Sequence, residues 1–228
     1  TVFNYLAAGQ CVTDRFTYAI RMSNGTLSWA TVTITITGTN DGPTVSAADL
    51  AGAVTEDASS PNLSDTGTIT FDDVDLTNTH STAVTPAGGN MLDGTLTATV
   101  TDVATGAGNG TVTWVYTVAN SATQYLAKNE TVTESFTIRI SDNSGGYIDR
   151  VVVVTITGTN DLPTVSLADL TGAATEDATA PDLTDSGTIT FDDLDLIDTH
   201  STTIIPDSGN LLGGVLTASV TDTATGTG

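Results

Sequence analysis

The stretch "TVTITITGTNDGPTVS" (Thr31–Ser46) returns as "VVVVTITGTNDLPTVS" (Val151–Ser166). Each copy opens on Val and Ile alternating with Thr, or on a run of Val. This is the period of a strand whose two faces meet different surroundings, and β-branched side chains suit that pleated, half-buried surface. The run then breaks on Gly-Thr-Asn-Asp-x-Pro. Gly38 permits a turn there, and Pro43, or Pro163 in the second copy, stiffens the exit without donating a backbone hydrogen bond. A strand, a punctuated break and a new strand read as the joint between two domains of one kind.

The 120-residue offset between these copies holds far beyond them. Backward, "YLAAGQCVTDRFTYAI" at Tyr5 aligns with "YLAKNETVTESFTIRI" at Tyr125. Forward, residues 41–108 and 161–228 match at 45 of 68 positions without a gap. An internal period of this kind organises the whole chain. Residues 41–160 are one complete repeat, 1–40 the C-terminal part of a preceding repeat, and 161–228 the N-terminal part of the next. The chain opens inside the repeat without a leader or an initiator Met, and is expected to be a piece of a longer array. Within a repeat, alternation marks strands at Thr31–Thr37, Thr95–Thr101, Thr111–Val118, Thr131–Ile140 and Val151–Thr157. Gly, Asn, Asp and Pro punctuate them, and helical periodicity is absent. The expected fold is all-β, in tandem Ig-like or cadherin-like β-sandwich domains of roughly seven strands each.

Composition narrows the function. The chain has 228 residues, 27 acids and 5 bases, for a formal net charge of −22. The bases are Arg15, Arg21, Lys128, Arg139 and Arg150. No basic surface is available for nucleic acid or for an anionic membrane. No apolar run reaches the roughly 18 residues needed to span a bilayer, so direct membrane insertion is not expected. The apolar fraction of 39% is enough for a core. Cys11 is the only cysteine, so no intrachain disulfide forms.

In so acidic a chain the carboxylates still cluster. "FDDVD" (Phe71–Asp75) returns as "FDDLD" (Phe191–Asp195). Three sets of oxygen side chains recur at the common offset: Asn40 and Asp41 with Asn160 and Asp161, Glu56 and Asp57 with Glu176 and Asp177, and Asp73 and Asp75 with Asp193 and Asp195. Calcium takes six to eight hard oxygen ligands in flexible geometry, whereas magnesium demands a tighter octahedron, so Ca²⁺ is the cation expected to bind these residues and rigidify the joint. On a strand, Asp73 and Asp75 share a face and Asp72 lies on the other. The competing reading is of solvated turn acids that serve solubility. Asp142, in "SDNSGG", aligns with Met22 and stays outside the expected ligand set.

The recurring His80 and His200 read as hydrogen-bonded structural residues. Ser81 and Ser201 follow them, but adjacency in sequence does not make a triad. Paired carboxylates could serve glycoside hydrolysis, yet an enzyme is not expected to repeat its acids in every unit, so no catalysis is expected. Trp29 and Trp114 do not align with one another and read as core or partly buried residues. The sequon-like triplets at Asn24, Asn109 and Asn129 read as turns.

Three motifs, in order and at fixed period, carry a family resemblance: Gly-Thr-Asn-Asp-x-Pro, then (Val/Ala)-Thr-Glu-Asp-Ala, then Gly-Thr-Ile-Thr-Phe-Asp-Asp-x-Asp-Leu-x-x-Thr-His. They resemble the VCBS repeats of large bacterial RTX-type surface adhesins, and the likeness covers the whole chain. It implies cadherin-like sandwiches in extended, calcium-stiffened arrays, secreted to the bacterial cell surface. Such arrays project a terminal binding domain in cell adhesion or biofilm formation. By the same resemblance Asn40 and Asp41, or Asn160 and Asp161, are linker ligands. Glu56 and Glu176 are first-strand acids, and Asp73 with Asp75, or Asp193 with Asp195, are paired loop acids. The linker lacks the second Asn of a cadherin joint and no acid-Arg-acid motif occurs mid-domain, which implies one ion per joint rather than three.

The alternative function is a sandwich that itself binds carbohydrate or a protein partner. That needs an exposed aromatic cluster, and the 5% of aromatic residues are spread thinly. The expected partners are calcium and the neighbouring repeats. The two incomplete repeats are expected either to fray or to complement each other's strands between chains.

Overall fold

The computed structural model describes residues 3–103, 108–176 and 182–221. Among them the chain is all-β apart from one 3-10 turn at Asn120–Ala122. The strands are β1 (Cys11–Arg21), β2 (Leu27–Thr37), β3 (Thr44–Ala48), β4 (Ala51–Thr55), β5 (Asn62–Asp72), β6 (Ser81–Pro86), β7 (Thr95–Asp102), β8 (Gly110–Ala119), β9 (Thr131–Ser141), β10 (Tyr147–Thr157), β11 (Thr164–Ala168) and β12 (Ile189–Asp192). Each alternating run of the sequence lies inside one of them.

Two four-stranded sheets, ordered β3-β5-β8-β7 and β4-β10-β9-β6, form the sandwich of the middle repeat. Among the described residues, β1 pairs with β2 alone and β11 with β12 alone. The pairing of β3 with β5 shifts register between Val45 and Ala47, and β11 with β12 shifts at the equivalent Val165 and Leu167. The two copies therefore share a bulge, a local device that twists and re-aims a strand.

By compactness the chain divides into two units, each taken by itself. The first comprises Thr1–Ala53, Ser64–Val118 and Thr133–Thr155. Its core joins Ile69, Phe71, Leu96, Val112, Trp114 and Tyr116 of one sheet to Phe136, Ile138, Ile140, Val152 and Val154 of the other. The Tyr116 and Phe136 rings meet across the sheets with centroids 5.8 Å apart. Each such side chain contributes about 1.5–3 kcal/mol when fully buried. Alternation explains the selection, since the inward row of β8 is buried while its neighbours are half-buried or exposed. The Trp114 indole N–H donates to the Asp49 carbonyl at 2.8 Å, so its one polar atom is satisfied. Trp29 is exposed.

The second unit comprises Val54–Leu63, Ala119–Val132 and Ile156–Gly228. Val54, Leu63, Leu126, Ala127 and Ile156 are buried in it. Beyond β12, the described residues up to 221 carry no strand and are almost all exposed.

Gly38 was expected to supply conformational freedom for a turn. The structure gives a different reason for it. A Cβ on Gly38 would sit 2.1 Å from the Leu6 carbonyl oxygen, and a Cβ on Gly158 at the same distance from that of Leu126. The glycine is there so that the Tyr-Leu-Ala turn can lie against the joint.

Candidate functional site

Each unit carries one joint, and the two are built alike. In the first unit the Leu76 N–H donates to the Tyr5 carbonyl at 3.4 Å; in the second, Leu196 donates to Tyr125 at 3.3 Å. The Tyr-Leu-Ala turn of one repeat is thereby tied to the acidic loop of the next.

The acidic loop organises itself through its own carboxylates. β5 ends at Asp72, so Asp73 and Asp75 lie just beyond the strand, but the alternation persists: both are buried and Val74 between them is exposed. Asp73 Oδ1 accepts from the Asp75 N–H at 3.0 Å, and Asp75 Oδ2 from the Asp41 N–H at 3.0 Å. Asp73 Oδ2 lies 2.9 Å from His80 Nε2. Phe71 meets the His80 ring edge-on at 4.8 Å. The second unit reproduces this set: Asp195 N–H to Asp193 Oδ1 at 3.1 Å, Asp161 N–H to Asp195 Oδ2 at 3.0 Å, and His200 Nε2 to Asp193 Oδ2 at 2.7 Å.

The joints then differ. In the first, Asn40 is absorbed into a polar network. Its amide donates to Asp142 Oδ2 at 2.7 Å, and its carbonyl accepts from Asn78 at 3.2 Å. Asn78 Oδ1 accepts from the Ser144 hydroxyl at 3.1 Å, and Asp142 Oδ1 from the Ser144 N–H at 2.7 Å. In the second joint Asn160 is exposed and its amide donates to the Asp161 carbonyl at 2.5 Å.

Glu56 and Asp57 follow the first joint in sequence, yet they face the second. Buried Glu56 accepts the Thr159 N–H on Oε2 at 2.9 Å and the Gln124 amide on Oε1 at 3.0 Å. Asp57 Oδ1 accepts from Asn120 at 2.7 Å and from Gln124 at 3.1 Å. Asp57 has a positive φ of 59°, a conformation to which Asp is well suited. Glu56 thus lies within electrostatic reach of Asp161 and Asp195, and Asp57 within reach of Asp161. Their counterpart Glu176 is exposed, and Asp177 lies outside the described residues.

Electrostatics record the crowding. Burial holds Glu56 above the ordinary carboxylate range against the opposing Thr159 N–H, and the charges of Asp161, Asp57 and Asp195 add to it. Burial and the charges of Asp195, Asp57 and Asp193 raise Asp161. Burial likewise raises Asp75, against the Asp41 N–H and with Asp73 and Asp41 beside it, and raises Asp195, against the Asp161 N–H and with Asp198, Asp193 and Glu130 nearby. Asp142 is the exception. Burial would raise it, but donors from Asn40, Ser144, Gly146 and Gly145 outweigh that and hold it low.

Among the described residues, three carboxylate oxygens are buried with no hydrogen-bond partner: Asp75 Oδ1, Asp195 Oδ1 and Asp161 Oδ2. A buried polar atom left unpaired is costly. Two of the three are the same atom in successive repeats. Hard, anionic and unpartnered oxygens fit the donor chemistry of calcium. Among the described residues, however, no three His, Cys, Asp or Glu side chains converge as a ready ligand group.

Sequence reasoning missed Asn78, Ser144, Asn120 and Gln124, and set Asp142 aside because Met22 aligns with it. Asn78 had a readable signal, since its counterpart Asp198 also carries side-chain oxygen. The others become neighbours of the acids only through the return of distant strands.

No protein-family model and no curated protein matches the chain. Among solved structures it is similar to the N-terminal domain of PorA, at TM-score 0.31 and 12% identity over 49% of this chain and 89% of that one. It is similar to the sialic acid binding region of a Streptococcus sanguinis SK1 adhesin, at TM-score 0.33 and 16% identity over 62% of this chain and 37% of that one. It is also similar to zebrafish RET cadherin-like domains 1 to 4, at TM-score 0.30 and 14% identity over 72% of this chain and 39% of that one. Likenesses so distant say nothing of what this chain binds. Its own sheets and its two matching joints define a tandem β-sandwich repeat protein.

Proposed function

We propose that the chain is a run of extender repeats from a secreted bacterial surface adhesin, stiffened at each joint by Ca²⁺. The observation that carries this reading is the orphaned, buried Asp75 Oδ1 and its counterpart Asp195 Oδ1, each beside a repeat joint. At the second joint the ion would be held by Glu56, Asp57, Asp161, Asp193 and Asp195, with their carboxylates rotating to close on it. At the first, Asp41, Asp73 and Asp75 are the acids available. The ion would supply positive charge among mutually repelling carboxylates and bind residues on both sides of the joint. The resemblance to VCBS repeats supports the adhesin setting. An ion that binds only the folded joint also couples folding to an environment rich in calcium.

The test is a thermal melt in EDTA against millimolar Ca²⁺, with Mg²⁺ as the control. Ligand at about a hundred times its Kd stabilises by roughly 2.7 kcal/mol, which at about 4 °C per kcal/mol for a domain of this length moves the melting temperature by roughly 10 °C. Asp75→Asn together with Asp195→Asn is expected to abolish most of that shift. An equal melting temperature in EDTA and Ca²⁺ would leave the acids as solubilising turn residues and remove the reading.

A further inference from the structure

The histidine that ends each acidic loop is held by a single polar contact. The His80 and Asp73 side chains are both 0% exposed, and those of His200 and Asp193 are 9% and 2% exposed. In each pair Nε2 lies within hydrogen-bond distance of the aspartate Oδ2, at 2.9 and 2.7 Å. Among the described residues, the other ring nitrogen, Nδ1, is buried without a partner in both copies. Leaving a buried nitrogen unpaired is costly, and an apolar residue packed on Phe71 would avoid that cost. Its occurrence in both loops points to the work that Nε2 does.

That work ends at the open oxygen of the joint. Asp73 is engaged on both oxygens, Oδ2 by His80 and Oδ1 by the Asp75 N–H at 3.0 Å. Asp193 is engaged in the same way by His200 and by the Asp195 N–H at 3.1 Å. Asp75 in turn accepts the linker Asp41 N–H on Oδ2 at 3.0 Å, and its Oδ1 is the buried oxygen without a partner. A line of contacts thus runs from ring to carboxylate to backbone amide to the acid that faces the joint. The ring is itself fixed. Phe71 lies 4.8 Å from the His80 ring, and Phe191 lies 4.8 Å from that of His200. In the middle repeat Asn143 brackets His80 from both sides: its amide donates to the Thr79 carbonyl at 3.0 Å, and its Oδ1 accepts the Ser81 hydroxyl at 2.7 Å.

We propose that His80 and His200 are positioning residues for the joint cation, each holding Asp73 or Asp193 so that Asp75 or Asp195 presents Oδ1 to the ion. The proposal rests on the calcium reading above. It gives the paired acids different parts. Asp73 is the fixed member, oriented before an ion arrives, and Asp75 is the member with an oxygen to spare. Partners behind a ligand orient it in this way, and removing one typically weakens metal binding by about 10–100-fold.

Substitution separates the contact from the space it fills. His80→Leu keeps bulk and deletes the hydrogen bond; His80→Gln keeps an amide that can reach the carboxylate. In EDTA, hydrogen exchange at the Asp75 amide is expected to accelerate by about tenfold in His80→Leu, the loss of one hydrogen bond. The Asp195 and β8 amides are expected to keep their protection, and His80→Gln to restore that of Asp75. In calorimetric titration, His80→Leu with His200→Leu is expected to bind as many calcium ions as the unsubstituted chain, about tenfold more weakly. Asp75→Asn with Asp195→Asn is expected to lose them. Nitrogen-15 spectra of the unsubstituted chain need no variant to fold, and are expected to show a solvent-protected N–H at Nε2 of both histidines. Unchanged Asp75 exchange in a folded His80→Leu chain overturns the proposal, as does equal acceleration in the Leu and Gln variants, or a protected N–H at Nδ1. An unsubstituted chain that binds no calcium removes the calcium reading and the proposal together, whereas calcium binding that His80→Leu with His200→Leu leaves unchanged removes the proposal alone.

Discussion

At the scale of single residues, the buried acid that the joints do not use is the most exacting. Glu134 sits in the inward row of β9 between apolar neighbours, fully buried. Its Oε2 accepts the Tyr116 hydroxyl at 2.8 Å and its Oε1 the Leu92 N–H at 2.9 Å. Burial, then that hydrogen bond and the nearby charge, push the Tyr116 phenol far above its ordinary range. Tyr116→Phe keeps the ring and deletes one of two donors to a buried carboxylate. The expected loss is about 1–3 kcal/mol, read as a lower urea midpoint at unchanged slope. A neutral substitution would mean that water replaces the hydroxyl and that the pair is not closed. Glu134 was legible in "TVTESFTIRI" only as an acid in an otherwise apolar row, because its donors come from β8 and from the β6–β7 connection. The same holds at the joints. The persistence of alternation through Asp73 and Asp75 could be read from the chain, but Asp142 could not be joined to Asn40 across a sequence separation of 102.

At the scale of elements, period-2 alternation located β7, β8, β9 and β10, whose side chains alternate in burial, and β2, which is exposed along nearly its whole length; it did not mark β1 or β5, 11 residues each. It was silent on β3 and β4, five residues each, too short to show a period. It was also silent on which sheet each strand joins, a matter of non-local pairing. The glycine of the Gly-Thr-Asn-Asp motif was read as a turn residue, whereas it makes room for the carbonyls of the Tyr-Leu-Ala turn. Its role as contact space makes a sharper prediction. In Gly158→Ala the new methyl meets the Leu126 and Ala127 carbonyl oxygens at 2.1 and 2.5 Å, and backbone atoms cannot rotate away. The Tyr-Leu-Ala turn must lift, at a cost of roughly 1–3 kcal/mol. The turn also bears the Tyr125 carbonyl that holds the Leu196 N–H. Hydrogen exchange at Leu196 is therefore expected to accelerate in this variant while the amides of β8 keep their protection. If β8 and Leu196 lose protection together, the turn and the sandwich core open as a single unit, and the glycine has no separate effect on the joint.

At the scale of the whole molecule, the excess of acids acts against the fold. A charge of −22 on 228 residues repels itself, and the joints concentrate the strain in Glu56, Asp75, Asp161 and Asp195. All four are held above the ordinary carboxylate range, first by burial and then by neighbouring charge. A carboxyl group whose pKa is higher folded than unfolded binds more protons in the folded state. Its contribution is then fully present below the unfolded pKa, near pH 4, and is lost as pH rises through the raised value. Asp142 runs the other way, with its folded pKa lowered by its hydrogen-bond donors, and loses stability only on stronger acidification. The exposed Asp149–Arg139 pair adds little at either end. In EDTA the melting temperature is therefore expected to climb as pH falls from about 7.5 to about 5, the reverse of the usual acid loss in proteins whose carboxylates are paired. On the proposed calcium reading the slope inverts, because an ion held by deprotonated groups would be displaced as they take up protons. Two melting series over that range, one with EDTA and one with millimolar Ca²⁺, should converge at the acid end and separate toward neutrality. A melting temperature in EDTA that is flat or rises toward neutral pH would mean that the four carboxyls are adequately solvated, and that no cation is needed to hold the repeats together.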